Sequence, residues 1–420
     1  MIVELCERFG FTGALARAAE RAWERVGTLE YPAQRAVTMS VLQAFLEEDI
    51  AESDLAGSSG YGYDDAARAA YESLLRRIFG AERALARITI ASGTNAIALA
   101  LRSCVPRGGT LFAVAGRPYD TLRNAIYDAP DALAVTGGFA YREIALLPDG
   151  SIDSDTLERE MRAVERGAIF VQRSRGYATR PSLSIAELER AFAAIRALRG
   201  DLPILVDNCY GELVEEREPT QVGADLAMGS LIKNLGGALA PTGGYCVGRA
   251  DLVERIASTL YAPGLGDALG PTLGFGKAFI QGLFQAPSVV EAALRTLDFT
   301  AALFSELGYR VDPAPGSRRT DIVQAIALGS RERVLGFARG LQSVLPINAR
   351  FRPEPGAVPG YRDPVVMSGG AFVAGATIEL SCDAPLREPY ELYVQGGVNA
   401  IHGYLGALAA ARATMEATAE

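Results

Sequence analysis

The 420-residue chain is almost free of lysine and histidine. Only two of its 41 basic residues, Lys233 and Lys277, are lysines, and His402 is its one histidine. A histidine-rich zinc site or a relay of several histidines is therefore not expected. The five cysteines are scattered, with no C-x-x-C pair, so the sequence predicts neither a disulfide framework nor a four-cysteine metal site. We expect no bound metal and a reducing, cytoplasmic compartment.

The chain also lacks long apolar runs and an excess of positive charge. No window approaches about 18 uncharged apolar residues, so no membrane span is predicted. The first turns carry Glu4, Glu7 and Arg8, which is not the pattern of a signal peptide. The net charge is −9, and a chain of this sign is not expected to bind nucleic acid. With 49% hydrophobic and 22% charged residues, the composition is that of a globular protein with a large core.

Short apolar runs alternate with helical patterns through the middle of the chain. The predicted strands lie at 87–91, 110–115, 142–147, 168–172, 204–207, 224–228 and 244–248. Buried strands that alternate with helices indicate an α/β domain with a mostly parallel sheet. We divide the chain into an N-terminal helical segment, a large α/β domain and a smaller α+β domain, at residues 1–60, 61–290 and 291–420.

The scarcity of lysine draws attention to Lys233. It lies in the segment GSLIKNLGG, downstream of a predicted strand that ends in VDNCYGE with Asp207. A lysine can form a Schiff base with pyridoxal phosphate, whereas arginine stays protonated and cannot, so a lysine kept among so many arginines is a candidate for that chemistry. An aspartate at the end of a buried strand suits the ring nitrogen of this cofactor. Lys277 lacks an upstream aspartate, and we interpret it as incidental.

Other residues match the remaining parts of this cofactor. The segment Ser92-Gly93-Thr94 follows a predicted strand and begins a helix, where backbone N–H groups can bind a phosphate. Ser230 comes shortly before Lys233, so its hydroxyl is a second candidate for the phosphate, and the ring of Tyr119 is a candidate to stack on the pyridine. Each residue alone is more typical of a helix cap, a salt bridge or packing. Their common order favours a cofactor site.

The segments SGTNAI, VDNCYGE and GSLIKNLGG resemble the cystathionine lyase group of pyridoxal-phosphate enzymes, which have the aspartate aminotransferase fold, fold type I. Together with GYGYDD, APGLG and YVQGG, they more specifically resemble the methionine γ-lyase-like or "aluminium resistance" proteins, from about residue 35 to the end. The resemblance implies a carbon–sulfur lyase with pyridoxal phosphate as cofactor. It implies Lys233 as the Schiff-base lysine, Asp207 as the partner of the ring nitrogen, Tyr119 as the stacking ring, and Ser92, Gly93, Thr94 and Ser230 at the phosphate.

The resemblance also implies active sites that are shared between subunits. In the resembling lyases a Tyr-x-Arg segment reaches the phosphate of the neighbouring subunit. The segment GYGYDD stands in its place here, so Tyr61 or Tyr63 takes the tyrosine role, while the arginine is absent. Ile232 stands where those enzymes have a second phosphate-binding hydroxyl. We expect a homodimer or a homotetramer with shared active sites.

An arginine is needed to bind the carboxylate of an amino-acid substrate. Arg387 stands where the related lyases carry this arginine, according to the resemblance. Arg173 and Arg175 follow a predicted strand at the carboxyl end of the sheet, where α/β proteins bind ligands. The sequence leaves the choice among these three residues open.

The predicted reaction is elimination at the β or γ carbon of an amino acid such as cystathionine or methionine. Four other reactions begin from the same cofactor and remain open: γ-replacement, elimination of a non-sulfur group such as a halide, transamination and retro-aldol cleavage. A sugar aminotransferase of similar fold and a non-catalytic protein that binds the cofactor are further alternatives. The residues do not separate the reactions on amino acids. A sugar aminotransferase would need a pocket without a carboxylate-binding arginine, and the retained Lys233–Asp207 pair argues against a non-catalytic protein.

Overall fold

The computed structural model describes residues 1–417 and forms two compact units. A large unit spans Ala36–Ala286, and a small unit combines Met1–Arg35 with the chain from Pro287 onward. The helices are α1 Ile2–Phe9, α2 Gly13–Val26, α3 Pro32–Glu47, α4 Ala66–Ile78, α5 Gly93–Cys104, α6 Asp120–Arg123, α7 Leu133–Gly137, α8 Ser154–Arg162, α9 Ile185–Leu198, α10 Ala250–Leu260, α11 Gly276–Glu306, α12 Arg331–Gln342 and α13 Ala400–Glu416. The strands are β1 Arg83–Arg87, β2 Thr110–Ala113, β3 Ala140–Glu143, β4 Gly167–Gln172, β5 Ile204–Asp207, β6 Leu226–Ser230, β7 Gly244–Gly248, β8 Arg310–Asp312, β9 Val323–Ala327, β10 Val365–Gly369, β11 Ser381–Pro385 and β12 Glu391–Gln395.

A seven-stranded sheet forms the centre of the large unit, in the order β1-β7-β6-β5-β4-β2-β3. Only β7 runs antiparallel to its neighbours in this sheet, and the other adjacent pairs are parallel. Helices α5 and α10 pack on one face, and α8 and α9 pack on the other. Because both faces are covered, the central strands are buried along their whole length and have continuously apolar sequences. The predicted mostly parallel sheet is confirmed.

Two of the predicted strands lie elsewhere along the chain, and another, predicted at 224–228, is displaced by two residues to Leu226–Ser230. The first strand is Arg83–Arg87, not 87–91, and it pairs antiparallel with β7. The β-branched residues that follow it form a turn, in which the Ile90 N–H donates to the Arg87 carbonyl and the Ile90 side chain is fully buried. The third strand is Ala140–Glu143 rather than 142–147. In both places pairing with a neighbouring strand overrides local β-propensity.

A five-stranded antiparallel sheet, in the order β10-β11-β12-β9-β8, and helices α12 and α13 form most of the small unit. The two helices approach closely because α12 presents glycine to α13: a Cβ atom on Gly340 would lie 2.4 Å from the Ala409 carbonyl oxygen. The predicted smaller α+β part of the chain is therefore confirmed. Within residues 1–417, every helix is too short or too polar to cross a lipid bilayer.

The first 35 residues belong to the small unit rather than to a helical segment of their own. Trp23 of α2 packs edge-on against Phe299 and Tyr404, with ring centroids 6.4 and 5.4 Å apart. The hydroxyl of Tyr31 donates to the Asp298 carboxylate at 2.7 Å. The division of the chain thus differs from the three consecutive parts drawn from the sequence, because an amphipathic helix needs a partner surface that its own sequence does not identify.

Candidate active site

Asp207 lies at the carboxyl edge of the large sheet, as the last residue of β5. It pairs in register with Gln172 of β4 and Met228 of β6, and its side chain is 3% exposed. The carboxylate accepts a hydrogen bond from the Cys209 N–H at 3.1 Å. Burial raises the pKa of Asp207, and the charge of nearby Lys233 opposes this rise without cancelling it. The fold therefore sets a buried carboxyl group at the edge where open α/β sheets bind ligands.

Lys233 follows the end of β6 at the same edge and caps a short 3₁₀ turn over Asn234–Gly236. Its side chain is partly exposed, and Nζ lies 3.8 Å from the centre of the Tyr210 ring. Removal from water lowers the pKa of Lys233, but its coupling to the ionisable side chains of Cys209, Tyr210, Tyr119 and Asp207 outweighs this and raises the pKa well above its usual value. The two residues predicted to form the catalytic pair are thus electrostatically coupled.

The start of α5 lies beside the end of β6. The Ser92 hydroxyl accepts a hydrogen bond from the Asn95 N–H at 3.1 Å and so caps the helix. A Cβ atom on Gly93 would lie 3.0 Å from the Cys209 sulfur and 3.5 Å from the Ser230 backbone nitrogen, so glycine permits this close approach. Ser230 is the last residue of β6. The arrangement places the N-terminus of α5, which Ser92 caps, next to Ser230, which suits a phosphate group.

Tyr119 is held through its hydroxyl and through its backbone, next to the start of α5. Its hydroxyl shares a hydrogen bond of 2.8 Å with the Thr94 hydroxyl, and its backbone N–H donates to the Gln172 side chain at 3.0 Å. Burial raises the pKa of Tyr119 well above its usual value, and the negative charge of Asp207 adds to this rise. Tyr119 is therefore a neutral phenol whose ring orientation is fixed close to Asp207.

The structure thus brings seven of the predicted site residues to one edge of the sheet: Lys233, Asp207, Tyr119, Ser92, Gly93, Thr94 and Ser230. This set of groups fits pyridoxal phosphate, which needs a helix start and hydroxyls for its phosphate, a carboxylate for its ring nitrogen, an aromatic side chain for its ring and a lysine for its aldehyde. The glycine at position 93 leaves open the space that a Cβ atom would fill. The individual roles of these residues stay predictions.

Arg173 and Arg175 are both buried, which matters for the choice of a carboxylate-binding arginine. Arg173 is 0% exposed, and its guanidinium donates to the Asn208 side chain, the Gly211 carbonyl and the Glu215 carboxylate at 2.8, 3.0 and 2.8 Å. Arg175 is 2% exposed. The structure therefore gives Arg173 a structural position, because its guanidinium donates to buried groups of the protein itself.

Arg387 belongs to the small unit and follows β11. Its side chain is 42% exposed and lies 3.4 Å from the Asp363 carboxylate. A long ion pair at an exposed position contributes little to stability. The role of Arg387 in binding a substrate stays a prediction.

Arg173→Ala is expected to lower the free energy of unfolding by about 3–5 kcal/mol, because the change removes the guanidinium that pairs with the buried Glu215 carboxylate. Arg217→Ala is the matched control: Arg217 pairs with Glu189 at the surface, both side chains being about half exposed, and its loss should leave stability close to that of the wild-type protein. Urea denaturation of the two variants measures both values. A stable Arg173→Ala protein with weakened substrate binding would restore Arg173 as a substrate ligand.

Tyr61 and Tyr63 lie on the loop between α3 and α4 and are 72% and 55% exposed. The loop backbone is nevertheless well anchored. The Asp65 carboxylate accepts hydrogen bonds from the backbone and hydroxyl groups of Ser58 and Thr272, and these bonds outweigh burial and lower the pKa of Asp65 to about 2. The expected packing of this loop involves its backbone, while both rings face outward from the single chain.

Two buried carboxyl groups of the segment after β5 lie behind the site. Glu212 accepts a hydrogen bond from the Tyr245 hydroxyl at 2.9 Å, and Glu218 accepts one from the Asn208 side chain at 2.8 Å. Burial raises the pKa of Glu212 to about 8 and that of Glu218 to about 7. These groups support the backbone around Asp207, and much of the motif VDNCYGE is therefore structural.

Three residues at the site were not selected from the sequence: Cys209, Tyr210 and Asn234. Cys209 lies against Gly93, Tyr210 lies under Lys233, and Asn234 bonds to the Tyr210 carbonyl. Their positions directly beside Asp207 and Lys233 in the chain were the available signal. All five cysteines are buried and unbridged.

The fold places the chain in the class of proteins that share the architecture of pyridoxal-phosphate-dependent enzymes. The pyridoxal-5′-phosphate-dependent protein YhfS of Escherichia coli superimposes with a TM-score of 0.60 over 92% of this chain and 96% of its own, at 17% identity, which shows the common fold alone. Within that class, the chain belongs to the methionine γ-lyase family, which matches residues 14–415.

Two proteins show how similar the relatives are. A Clostridium acetobutylicum protein, provisionally named a cystathionine β-lyase involved in aluminium resistance, has a crystal structure with a TM-score of 0.93 and 37% identity, covering 97% of each chain. The uncharacterized protein YnbB of Bacillus subtilis is 40% identical over 372 residues, which is 86% of each chain. The resemblance drawn from the motifs is confirmed.

Proposed function

We propose that the protein is a pyridoxal-phosphate-dependent lyase that eliminates a leaving group from the β or γ carbon of an amino acid, with a thioether such as cystathionine or methionine as substrate. The juxtaposition of Lys233 and Asp207 beside the start of α5 is the observation that carries the proposal. Membership in the methionine γ-lyase family and the name of the C. acetobutylicum relative support the choice of a carbon–sulfur bond.

The residues of the chain divide the work of such a reaction. Bound pyridoxal phosphate supplies an electron sink that acidifies the α-carbon of an amino acid. The buried Asp207 carboxyl would face the ring nitrogen and keep a proton on it. Lys233 would hold the cofactor through its side-chain nitrogen, and the same nitrogen would carry protons to and from the α-carbon of the substrate. Ser92, Gly93, Thr94 and Ser230 would hold the phosphate, and Tyr119 would restrain the ring.

A product assay tests this function directly. The purified protein, supplied with pyridoxal phosphate, is incubated with cystathionine, methionine, homocysteine and halogenated amino acids, and products are identified by mass spectrometry. We expect equal amounts of a thiol, ammonia and a 2-oxo acid from at least one thioether, and none of them from the Lys233→Ala protein. Transfer of the amino group to an added 2-oxo acid would instead indicate an aminotransferase. No product from any substrate would overturn the proposal.

We further propose that the protein assembles as a homo-oligomer whose active sites are shared between two subunits. Tyr61 and Tyr63 support this idea, because two exposed aromatic rings 5.7 Å apart project from an anchored loop. The anchor includes Gly62, which has φ 67 and packs directly against Pro271. Aromatic side chains on a rigid loop are well suited to a site on a second copy of the chain.

Mixing two inactive variants tests the shared site. Lys233→Ala subunits keep both tyrosines, and Tyr61→Ala/Tyr63→Ala subunits keep the lysine, so a mixed dimer contains one intact site and one site that lacks both contributions. After random subunit exchange, half of the dimers are mixed, and activity should return to about a quarter of the wild-type value. Native mass spectrometry verifies the exchange. No recovery in verified mixed dimers, or a fully active monomer, would contradict the shared site.

A further inference from the structure

Tyr210 has a strained backbone next to the proposed active site. Its φ angle is 73°, in the left-handed region that bulky residues rarely adopt. Such a conformation persists only where the surrounding structure enforces it, and it is found most often at functional sites. The roles proposed above for the motif VDNCYGE do not use this residue.

The strained segment is held between two buried side chains. The Asn234 amide donates to the carbonyl oxygens of Tyr210 and Glu212 at 3.1 and 2.8 Å. Just after the end of β4, the Arg173 guanidinium donates to the Gly211 carbonyl at 3.0 Å. Asn234 is 0% exposed and directly follows Lys233. The residue after the lysine therefore fixes the backbone that carries the Tyr210 ring.

The result of this arrangement is a contact between the ring and the lysine. Nζ of Lys233 lies 3.8 Å from the ring centroid, well within the roughly 6 Å over which an aromatic face attracts an ammonium group. We propose that Tyr210 is a positioning residue for Lys233: its ring holds the lysine nitrogen by a cation–π contact, and Asn234 holds the strained backbone that puts the ring there.

This contact has a consequence for proton transfer by Lys233, which rests on the proposed function. The aromatic face stabilises the protonated amine. The ring therefore sets the position of the Lys233 nitrogen and raises the pH at which it loses its proton. The titratable groups coupled to Lys233 are Asp207, Cys209, Glu212, Tyr119 and Tyr210 itself. Four of these are unchanged in a Tyr210 variant, so the effect of the ring can be measured separately.

Two variants at position 210 separate the ring from the hydroxyl and from the strain. Tyr210→Gly removes the ring, and glycine adopts a positive φ without strain, so the loop can keep its path. Tyr210→Phe keeps the ring and loses only the hydroxyl. Tyr210→Asn is a second variant without the ring, since asparagine also tolerates this conformation. Thermal denaturation identifies which variants are folded.

The scarcity of lysine makes the measurement unusually direct. A full-length chain labelled with ¹⁵Nζ-lysine and freed of pyridoxal phosphate gives two side-chain signals, and exposed Lys277 is the internal reference. We expect the titration midpoint of Lys233 to fall by about 0.5–1.5 pH units in Tyr210→Gly and Tyr210→Asn and to stay within about 0.3 units in Tyr210→Phe, with Lys277 unchanged in all three.

The outcomes distinguish this proposal from the proposed function. An unchanged midpoint in folded Tyr210→Gly or Tyr210→Asn would overturn the contact, and an equal shift in Tyr210→Phe would assign the effect to the hydroxyl instead of the ring. The titration does not depend on turnover. The expected shifts, together with no product in the assay, would support the contact between Tyr210 and Lys233 and contradict the proposed lyase activity. Product formation with unshifted midpoints would support the lyase activity and contradict the contact.

Discussion

Lys233→Ala is expected to abolish the visible absorption band that the protein gains with pyridoxal phosphate and to lower turnover by about 10²–10⁴-fold or more, whereas Lys277→Ala should leave both unchanged. The reason is chemical. Lysine is the side chain that can anchor the cofactor covalently, and arginine cannot replace it because it remains protonated. Lys233 lies among acidic groups at the sheet edge, while Lys277 is an exposed residue near the start of α11.

Borohydride reduction followed by peptide mass spectrometry locates the anchor independently of activity. The wild-type protein should carry the added cofactor mass on the peptide that contains Lys233, and the Lys277→Ala protein should give the same result. Because the chain has two lysines, the assignment has a single alternative. Modification of Lys277 in the wild-type protein, or a band that survives in Lys233→Ala, would show that the anchor has been misassigned.

The second large effect is expected for Asp207→Asn. The amide has the same shape as the carboxyl group but carries no negative charge, so it cannot keep the ring nitrogen of the cofactor protonated. We expect the variant to bind pyridoxal phosphate and to lose turnover by about 10²–10³-fold, the range found when one stabilising polar group is removed from an active site. Spectrophotometric titration measures cofactor binding, and steady-state kinetics on the best thioether measure the loss.

Asp225→Asn is a suitable control for this change. Asp225 is also buried, but it precedes β6 at the amino edge of the sheet, where it pairs with Arg196 and Arg249. Its loss should lower stability and leave kcat close to the wild-type value. If Asp207→Asn retains near wild-type turnover, or if Asp225→Asn is equally impaired, the charge of Asp207 does not act on the cofactor.

Much of the site could be predicted because its parts are local. Ser92 before a helix, Asp207 at the end of an apolar run and a rare lysine are visible as short patterns, and the structure places all three at one sheet edge. The role proposed for Tyr210 could not be predicted in this way. Its importance depends on a positive φ angle and on hydrogen bonds from Asn234, which local patterns do not reveal.

The sequence by itself determined the α/β class, the family and the order of the segments that form the site, because residue chemistry and hydrophobic periodicity are properties of neighbouring residues. Only the tertiary structure decided that Arg173 is buried, since its partner Glu215 is distant in the chain and lies on another segment. The tertiary structure also decided that β1 is Arg83–Arg87 and that α2 packs in the small unit. In each case the deciding free energy comes from contacts between residues far apart in sequence, which no local pattern contains.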